Sequence, residues 1–431
     1  MSTDKFDVII VGAGLAGLAA AYKLSQAGLE VVLVERGEYP GSKNLSGGVL
    51  YSRIMEKLIP NWWEEAPIER YVTNYITTLM TKDDYFNLEY KGRDLESIPY
   101  NSVTVLRAKF DRWLSEKCEE AGVMLVTGIK VEKVIKEDNR IIGIQAGEEE
   151  MLADVVIAAD GINSFIAQDA GLRGQIEPKH LAVGVKALIE LSRERIEERF
   201  RLSGQEGTAY AILGEATKGV AGGGFLYTNL ESLSIGVVTR LDDLKKEKLK
   251  PSEILDDFLL HPIVVPLIKG GKMIEYGAHL VAEGGLDMVP SLYKNGMLLV
   301  GDAAGFTINS GLVIRGMDLA IGSGIAAAET IIEAKNKKDF SEQALSIYRR
   351  KLEQSFIMKD MKTYAGAPRF MENERLYKNY SFLINNIFSK VYNHDLTCKE
   401  PLLKVFKKSL KESNISMFDL VKDGIGGIRA L

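Results

Sequence analysis

The sequence predicts an α/β fold: a Rossmann-like dinucleotide-binding domain with an inserted, largely antiparallel β-sheet domain and a helical C-terminal region. Three observations predict it. Short apolar runs suited to buried parallel strands recur at residues 8–11, 30–34, 123–126, 151–159 and 296–300. The first run passes directly into Gly12-x-Gly14-x-x-Gly17 and then a helix rich in Ala and Leu. From about residue 175 to 290 the pattern changes to strands separated by Gly-rich turns.

Residues 7–35 organise the chain. Gly12 permits a tight turn after the strand, Gly14 lets a pyrophosphate approach the backbone, and Gly17 lets helix and strand pack closely. Ala16 opens the expected helix, 16–27, whose leading N–H groups are free for phosphate. The second strand ends on Glu35, an acceptor for ribose hydroxyls, followed by Arg36. Glycines at this spacing also occur in ordinary α/β turns. The strand before, the helix after and an acid about 20 residues on favour dinucleotide binding.

Further along, Gly37, Gly41, Gly47 and Gly48 enclose Lys43, Asn44 and Ser46. So many small residues suit either a backbone passing close to a ligand or a surface loop. A short helix is expected at 52–59, then a turn in which Trp62 and Trp63 serve either the core or an interfacial anchor. Residues 71–106 read as strand-rich. In the next helix Phe110, Leu114 and Cys118 share a face; Arg107 stands at its start and Asp111 one turn in, facing a ligand or pairing with each other. A hairpin is expected around Asp138-Asn139. The strand at 151–159 runs into Asp160-Gly161, where parallel sheets bind ligands.

The insert holds expected strands at 182–190, 208–213, 225–227, 232–238 and 274–280, a Gly-rich turn at 219–224, and a helix opened by Pro251. The strand at 296–300 leads into Gly301-Asp302-Ala303-Ala304-Gly305. Asp302 is an acceptor for a sugar-like hydroxyl, and the amides after it begin a second anion-binding turn. Two such turns at opposite ends of the chain suit a long cofactor such as FAD. A small-residue-rich, buried helix is expected at 312–334; it would bury Arg315, for which a structural ion pair with a carboxylate is one alternative. The expected division is 1–174 and 291–335 for the dinucleotide domain, 175–290 for the insert and 336–431 for the helical tail.

Bulk composition narrows the classes. The 431 residues carry a net charge of −5 without a long basic tract, which argues against nucleic acid. Two cysteines, Cys118 and Cys398, cannot supply a four-thiolate cluster, and four scattered histidines show no metal-ligand spacing. No metal site is expected. A first strand at residue 8 leaves no room for a secretory leader, so both cysteines are expected reduced. No apolar run reaches membrane-spanning length.

GAGLAG at 12–17, Glu35, Arg107, Asp160-Gly161 and Gly301-Asp302 resemble the flavoprotein superfamily of p-hydroxybenzoate hydroxylase, geranylgeranyl reductases and electron-transfer-flavoprotein:quinone oxidoreductases. GSKNLSGGVL at 41–50, HLVAEGG at 279–285, GFTINSGLVIRGMDLAIGSG at 305–324 and MKTYAGAPRFMENERLY at 361–377 resemble its FixC-type members, and the resemblance spans the chain. It implies one non-covalent FAD and electron transfer from a two-subunit electron transfer flavoprotein to membrane quinone. It also implies [4Fe-4S] clusters in a separate ferredoxin-like subunit, and a four-part complex able to bifurcate electrons from NADH between ferredoxin and quinone. Peripheral attachment to the cytoplasmic side of the membrane follows.

By the same resemblance Gly12, Gly14, Gly17 and Glu35 hold the ADP half, Arg107 faces ribose or pyrophosphate, and Asp160 and Gly161 lie near the pyrophosphate, with Asp302 on the ribityl side. Lys43, Asn44, Ser46, Gly47, Gly48, Gly311 and Leu312 approach the isoalloxazine. No catalytic acid or base is assigned; His279 is either a core histidine or a site residue. The alternatives are a geranylgeranyl-reductase-like isoprenoid reductase and an FAD-dependent aromatic hydroxylase. For membrane contact the candidates are the Trp62-Trp63 turn and residues 380–392, whose Leu383, Ile387 and Val391 share a helical face, widened by Ile384 and Phe388. That face serves equally to pack on the core or a partner.

Overall fold

A computed structural model describes residues 5–44 and 47–431. Its first sheet has five parallel strands in the spatial order Met297–Leu299, Glu149–Ala158, Lys5–Val11, Val31–Val34 and Met124–Val126. The chain builds outward from Lys5–Val11 on one side, then returns to add strands on the other. The order therefore reverses beside the first strand, and a crevice opens at the strand ends there. Lys133–Glu137 and Arg140–Ala146 form the expected hairpin at the edge, with Asp138 at φ 51° in its turn.

Helix Leu15–Gln26 lies on this sheet against helix Met317–Lys337. Small residues set their separation. A Cβ on Gly324 would stand 2.3 Å from the Ala16 carbonyl oxygen, and one on Gly17 2.0 Å from that of Gly12. The small-residue stretch of the second helix is thus a buried helix crossing. It begins at Met317, later than expected, because Ile314–Arg315 pairs with Ile308–Asn309 in a short hairpin.

The second sheet has nine strands. Along its main path the order is Lys272–Ala282, Leu181–Glu190, Ser232–Arg240, Gly222–Thr228, Glu206–Gly214, Ile68–Met80, Ser102–Val105 and Gly48–Tyr51, and Tyr85–Lys91 also pairs with Ile68–Met80. Every pairing is antiparallel except Glu206–Gly214 with Ile68–Met80. The strands at 48–105 thus belong to the same sheet as those of the expected insert, so the sheet is not confined to 175–290. The long strand Ile68–Met80 joins the two stretches through its parallel partner. Gly222–Gly224 lie within a strand instead of the expected turn. Gly222 has no room for a side chain beside the Val238 carbonyl, and Gly224 lies under Phe258 of helix Pro251–Leu259.

Both membrane-contact candidates turn out to pack on the chain itself. Trp62 is buried, its ring edge-on to Phe110 at 6.1 Å between centroids, and Trp63 is edge-on to Trp62. Helix Arg375–Tyr392 lies on the second sheet: Asn385 donates to the Leu79 carbonyl at 2.9 Å, and Phe388 stacks on Phe86 at 4.8 Å. Leu383 forms a small core with Leu410 and Ile415, against which Ile387 packs. The following helices Leu402–Glu412 and Met417–Ala430 therefore cover the apolar face that the periodicity exposed.

Candidate functional site

A cavity of ≈ 450 Å³ occupies the crevice, within the range of cofactor sites. Its lining runs from Glu35 and Arg36 past the fingerprint turn to Phe225, Tyr227 and His279 on the second sheet. Gly12 is at φ 104°, and a Cβ there would meet the Ala159 carbonyl oxygen at 2.4 Å, so the turn demands glycine. Gly14 differs: a Cβ on it would meet no described atom within 4 Å, because that side opens into the cavity. Ala16 also lines the cavity, whereas Gly17 serves the packing behind it. The helix has no side-chain cap and no acid in its first turn, which leaves its leading N–H groups for an anion.

Glu35 clamps this turn. Its carboxylate accepts from the Ala13 N–H at 2.9 Å and the Gly37 N–H at 2.7 Å, and it still lines the cavity. Arg107 makes a bidentate ion pair with Asp111, both bonds at 2.7 Å, and Asn44 donates to the same carboxylate at 2.9 Å. The pairing alternative is therefore realised, and the paired guanidinium also borders the cavity. Lys43, Asn44, Gly47 and Gly48 line it too; Ser46 lies outside the described residues. Gly47 is at φ 77° and pressed against Ser234, so no side chain fits there.

Asp160 accepts from the Ser164 hydroxyl at 2.8 Å and the Ile166 N–H at 3.1 Å, fixing the turn that presents Gly161. Gly301 packs on Ala16 and donates to the Ser323 hydroxyl, which brings Asp302 to the cavity wall. Arg107 and Asp302 are both half-buried and line the cavity. Burial pushes the carboxyls of Asp160 and Asp302 above their ordinary range, opposed at Asp302 by Arg107, His279 and Arg173.

Gly305, Gly311 and Leu312 do not line this cavity. Gly305 packs on Met288 at φ 75°. Gly311 and Leu312 belong to the bend of the short hairpin, where the Gly311 N–H donates to the Asn309 side chain at 2.8 Å; Ile314 to Met317 line the main cavity instead. Arg315 is ion-paired with Asp318 and Asp360 at 2.5 and 2.6 Å, so the alternative of a structural ion pair is the one realised.

Gly311 and Leu312 border a second, apolar cavity with Tyr51, Tyr75 and the glycines of Gly222–Thr228. Val49, Phe225, Tyr227, Val238, Asn309 and Ile314 line both cavities, so they form the wall between the two. Phe225 and Tyr227 stack at 5.1 Å. Sequence reasoning passed over Lys186, which sits mid-strand in Leu181–Glu190 and donates to the Gly47 carbonyl. Burial, reinforced by Arg107, draws its ammonium down to about 7. An isolated Lys in an apolar strand was its only signal. His279 lines the main cavity, and burial lowers it as well.

The cavity fits FAD by three features: an open glycine face at a helix N-terminus, carboxylates beside the strand ends, and a flat aromatic wall at the far end. Among the described residues no group of metal ligands occurs. Cys118 is buried, donating to the Leu18 carbonyl, and Cys398 is exposed.

Comparison with known proteins agrees along the whole chain. Residues 5–201 match the FAD binding domain model, residues 181–281 the ETF-QO ubiquinone-binding model, and residues 367–431 the ETF-QO/FixC C-terminal domain model. The probable electron transfer flavoprotein-quinone oxidoreductase YdiS of Escherichia coli is 43% identical over 431 residues, covering 100% of both chains. Protein FixC of Salmonella typhimurium is 44% identical over 100% of both, and that of Azotobacter vinelandii 38% over 99% of both. A geranylgeranyl bacteriochlorophyll reductase-like structure from Thermoplasma acidophilum shares the fold: TM-score 0.73 over 97% of this chain and 98% of the other, at 22% identity.

Proposed function

The chain belongs to the ETF-QO/FixC family of FAD-dependent quinone oxidoreductases, and from that premise we propose that it relays electrons from a two-subunit electron transfer flavoprotein to membrane quinone within a larger complex. The observation that carries this reading is the apolar cavity across the Phe225–Tyr227 wall. Half of its lining falls within residues 181–281, the stretch that matches the ubiquinone-binding model. A quinone ring there would lie one aromatic wall from the cofactor cavity.

FAD, when bound, supplies two-electron chemistry and exchange with one-electron partners. The chain's own groups hold and orient it. Gly12, Gly14 and the first helical turn would take the diphosphate, Glu35 and Asp302 hydroxyl groups, and the loop anchored by Lys186 on Gly47 the ring. Tyr51 and Tyr227 would offer hydroxyls to a quinone carbonyl, whereas the Tyr75 hydroxyl shares a hydrogen bond with Ser102 at 2.5 Å. Burial raises all three above the ordinary phenol range, so they donate hydrogen bonds without ionising.

In the finer reading, a small ferredoxin-like subunit carries the [4Fe-4S] clusters, because two cysteines cannot. The partner flavoprotein oxidises NADH and divides its electrons between ferredoxin and this chain. The protein attaches peripherally to the cytoplasmic face of the membrane, and its last helix supports attachment to a lipid surface. Phe418, Val421, Ile425 and Ile428 lie exposed along one side of Met417–Ala430, with Lys422 and Arg429 beside them. The opposite side carries the buried Asp423, ion-paired with Arg375 at 2.6 Å. An outward apolar stripe with basic neighbours suits an anionic lipid surface. Among the described residues no helix is long and apolar enough to cross a membrane.

Genes for the flavoprotein and ferredoxin-like subunits beside this one, or co-purification of those subunits with it, would support the complex. Purification of the native protein as a lone subunit would contradict it.

A further inference from the structure

Three cavities meet at Asn309 and Val238, which line the cofactor cavity, the apolar cavity and a third of ≈ 310 Å³. The third is lined mainly by charged and polar groups, including Glu283, which directly follows strand Lys272–Ala282. The Glu283 N–H donates to the His180 carbonyl at 2.8 Å, fixing its backbone. Its carboxylate accepts from Asn309 Nδ2 at 3.0 and 3.3 Å. Asn309 Oδ1 in turn accepts from the Gly311 N–H at 2.8 Å, which orients the amide so that its nitrogen faces the acid. Glu283 is half-buried and lines this cavity.

We propose that Glu283 loads the protons for quinone reduction, taking them from water in the third cavity and passing them toward the cofactor and quinone cavities, with Asn309 as its positioning residue. This rests on the quinone-reductase reading. Quinone needs two electrons, which the proposed relay supplies, and two protons, to become quinol. For each Glu283 O–H bond that breaks, one O–H bond forms on a quinone oxygen, so two such transfers with two electrons give quinol. The carboxylate is reprotonated from cavity water before the second transfer.

The local chemistry calls for such a group. The tyrosines of the apolar cavity are held above the range in which they release protons. Burial pushes Glu283 up to about 7, with Asn309 and Arg240 pulling the other way, so at neutral pH it both holds and releases a proton. The cations facing its cavity are Lys179, Arg240 and Arg369, and the His180 side chain belongs to the same lining. Asp287, Glu372 and Tyr377 face it as well.

The test uses holoenzyme reduced anaerobically, then reoxidised by a soluble quinone or by ferricyanide, which takes electrons without protons. In Glu283→Gln, quinone reoxidation should slow about 100-fold and lose its decline above neutral pH. Ferricyanide reoxidation should stay at the wild-type rate, and Glu283→Asp should recover part of the loss. Independently, infrared titration of cofactor-free wild type should show a protonated carboxyl band vanishing with a midpoint near 7, absent in Glu283→Gln. Unchanged quinone kinetics in Glu283→Gln, equal loss with ferricyanide, or no titrating band would overturn the proposal, as would a pH limb that disappears in Lys186→Met but persists in Glu283→Gln. A wild-type protein that does not reduce quinone at all would overturn the functional reading and this proposal together, an outcome distinct from a defect confined to the variant.

Discussion

At the residue scale, two glycines of one motif do different work. Gly12 has no space for a methyl group, and its φ of 104° adds about 1–2 kcal/mol of strain for any other residue. Gly14 has space but faces the cavity. Gly14→Ala should leave the stability of cofactor-free protein within about 0.5 kcal/mol while weakening FAD binding; Gly12→Ala should damage both. Calorimetry of the apoprotein with flavin titration separates the two, and equal destabilisation would contradict the assignment. Lys186 makes a pH prediction. Its ammonium is near 10.5 unfolded and about 7 folded, so between those values the unfolded chain holds a proton the folded chain lacks. Stability of the apoprotein should therefore rise with pH across that window, and Lys186→Met should remove the rise. Parallel urea-unfolding curves for the two proteins would show that Lys186 is not buried as described.

At the scale of elements, the tail helices divide into packed and exposed faces. Leu383 and Ile387 belong to a core with Leu410 and Ile415, so Leu383→Ala should cost about 3 kcal/mol without first changing membrane binding. The double variant Phe418→Ser/Ile425→Ser removes only exposed apolar surface. It should keep its melting temperature and FAD yet lose flotation with anionic liposomes. Retained flotation together with loss of a partner subunit would assign that face to the partner. The helix at 380–392 was legible as a helix, because its periodicity is local. Which neighbour covers its apolar face depends on segments later in the chain. The parallel strands and the fingerprint were legible for the same local reason. The joining of strands at 48–105 and 181–282 into one sheet was not, since pairing across such separations leaves no pattern in either segment. Glu283 stood in a recognised stretch, but its burial arises only where the insert, the short hairpin and the tail converge.

At the scale of the molecule, one sheet holds the dinucleotide crevice and the other walls off an apolar cavity beside it. The isolated chain should carry one FAD, released wholly by acid precipitation, and no stoichiometric iron; the purified complex should carry iron in its small subunit. Flavin retained on the pellet, or iron and sulfide bound to this chain alone, would contradict that division of labour. The most direct test of electron relay to quinone is anaerobic stopped-flow mixing of the holoprotein, reduced through its electron transfer flavoprotein partner, with a soluble quinone. The account predicts rapid return of oxidised-flavin absorbance with quinol formed in equal amount, and negligible direct reduction of the chain by NADPH. Flavin that NADPH reduces quickly and that quinone leaves reduced would contradict it.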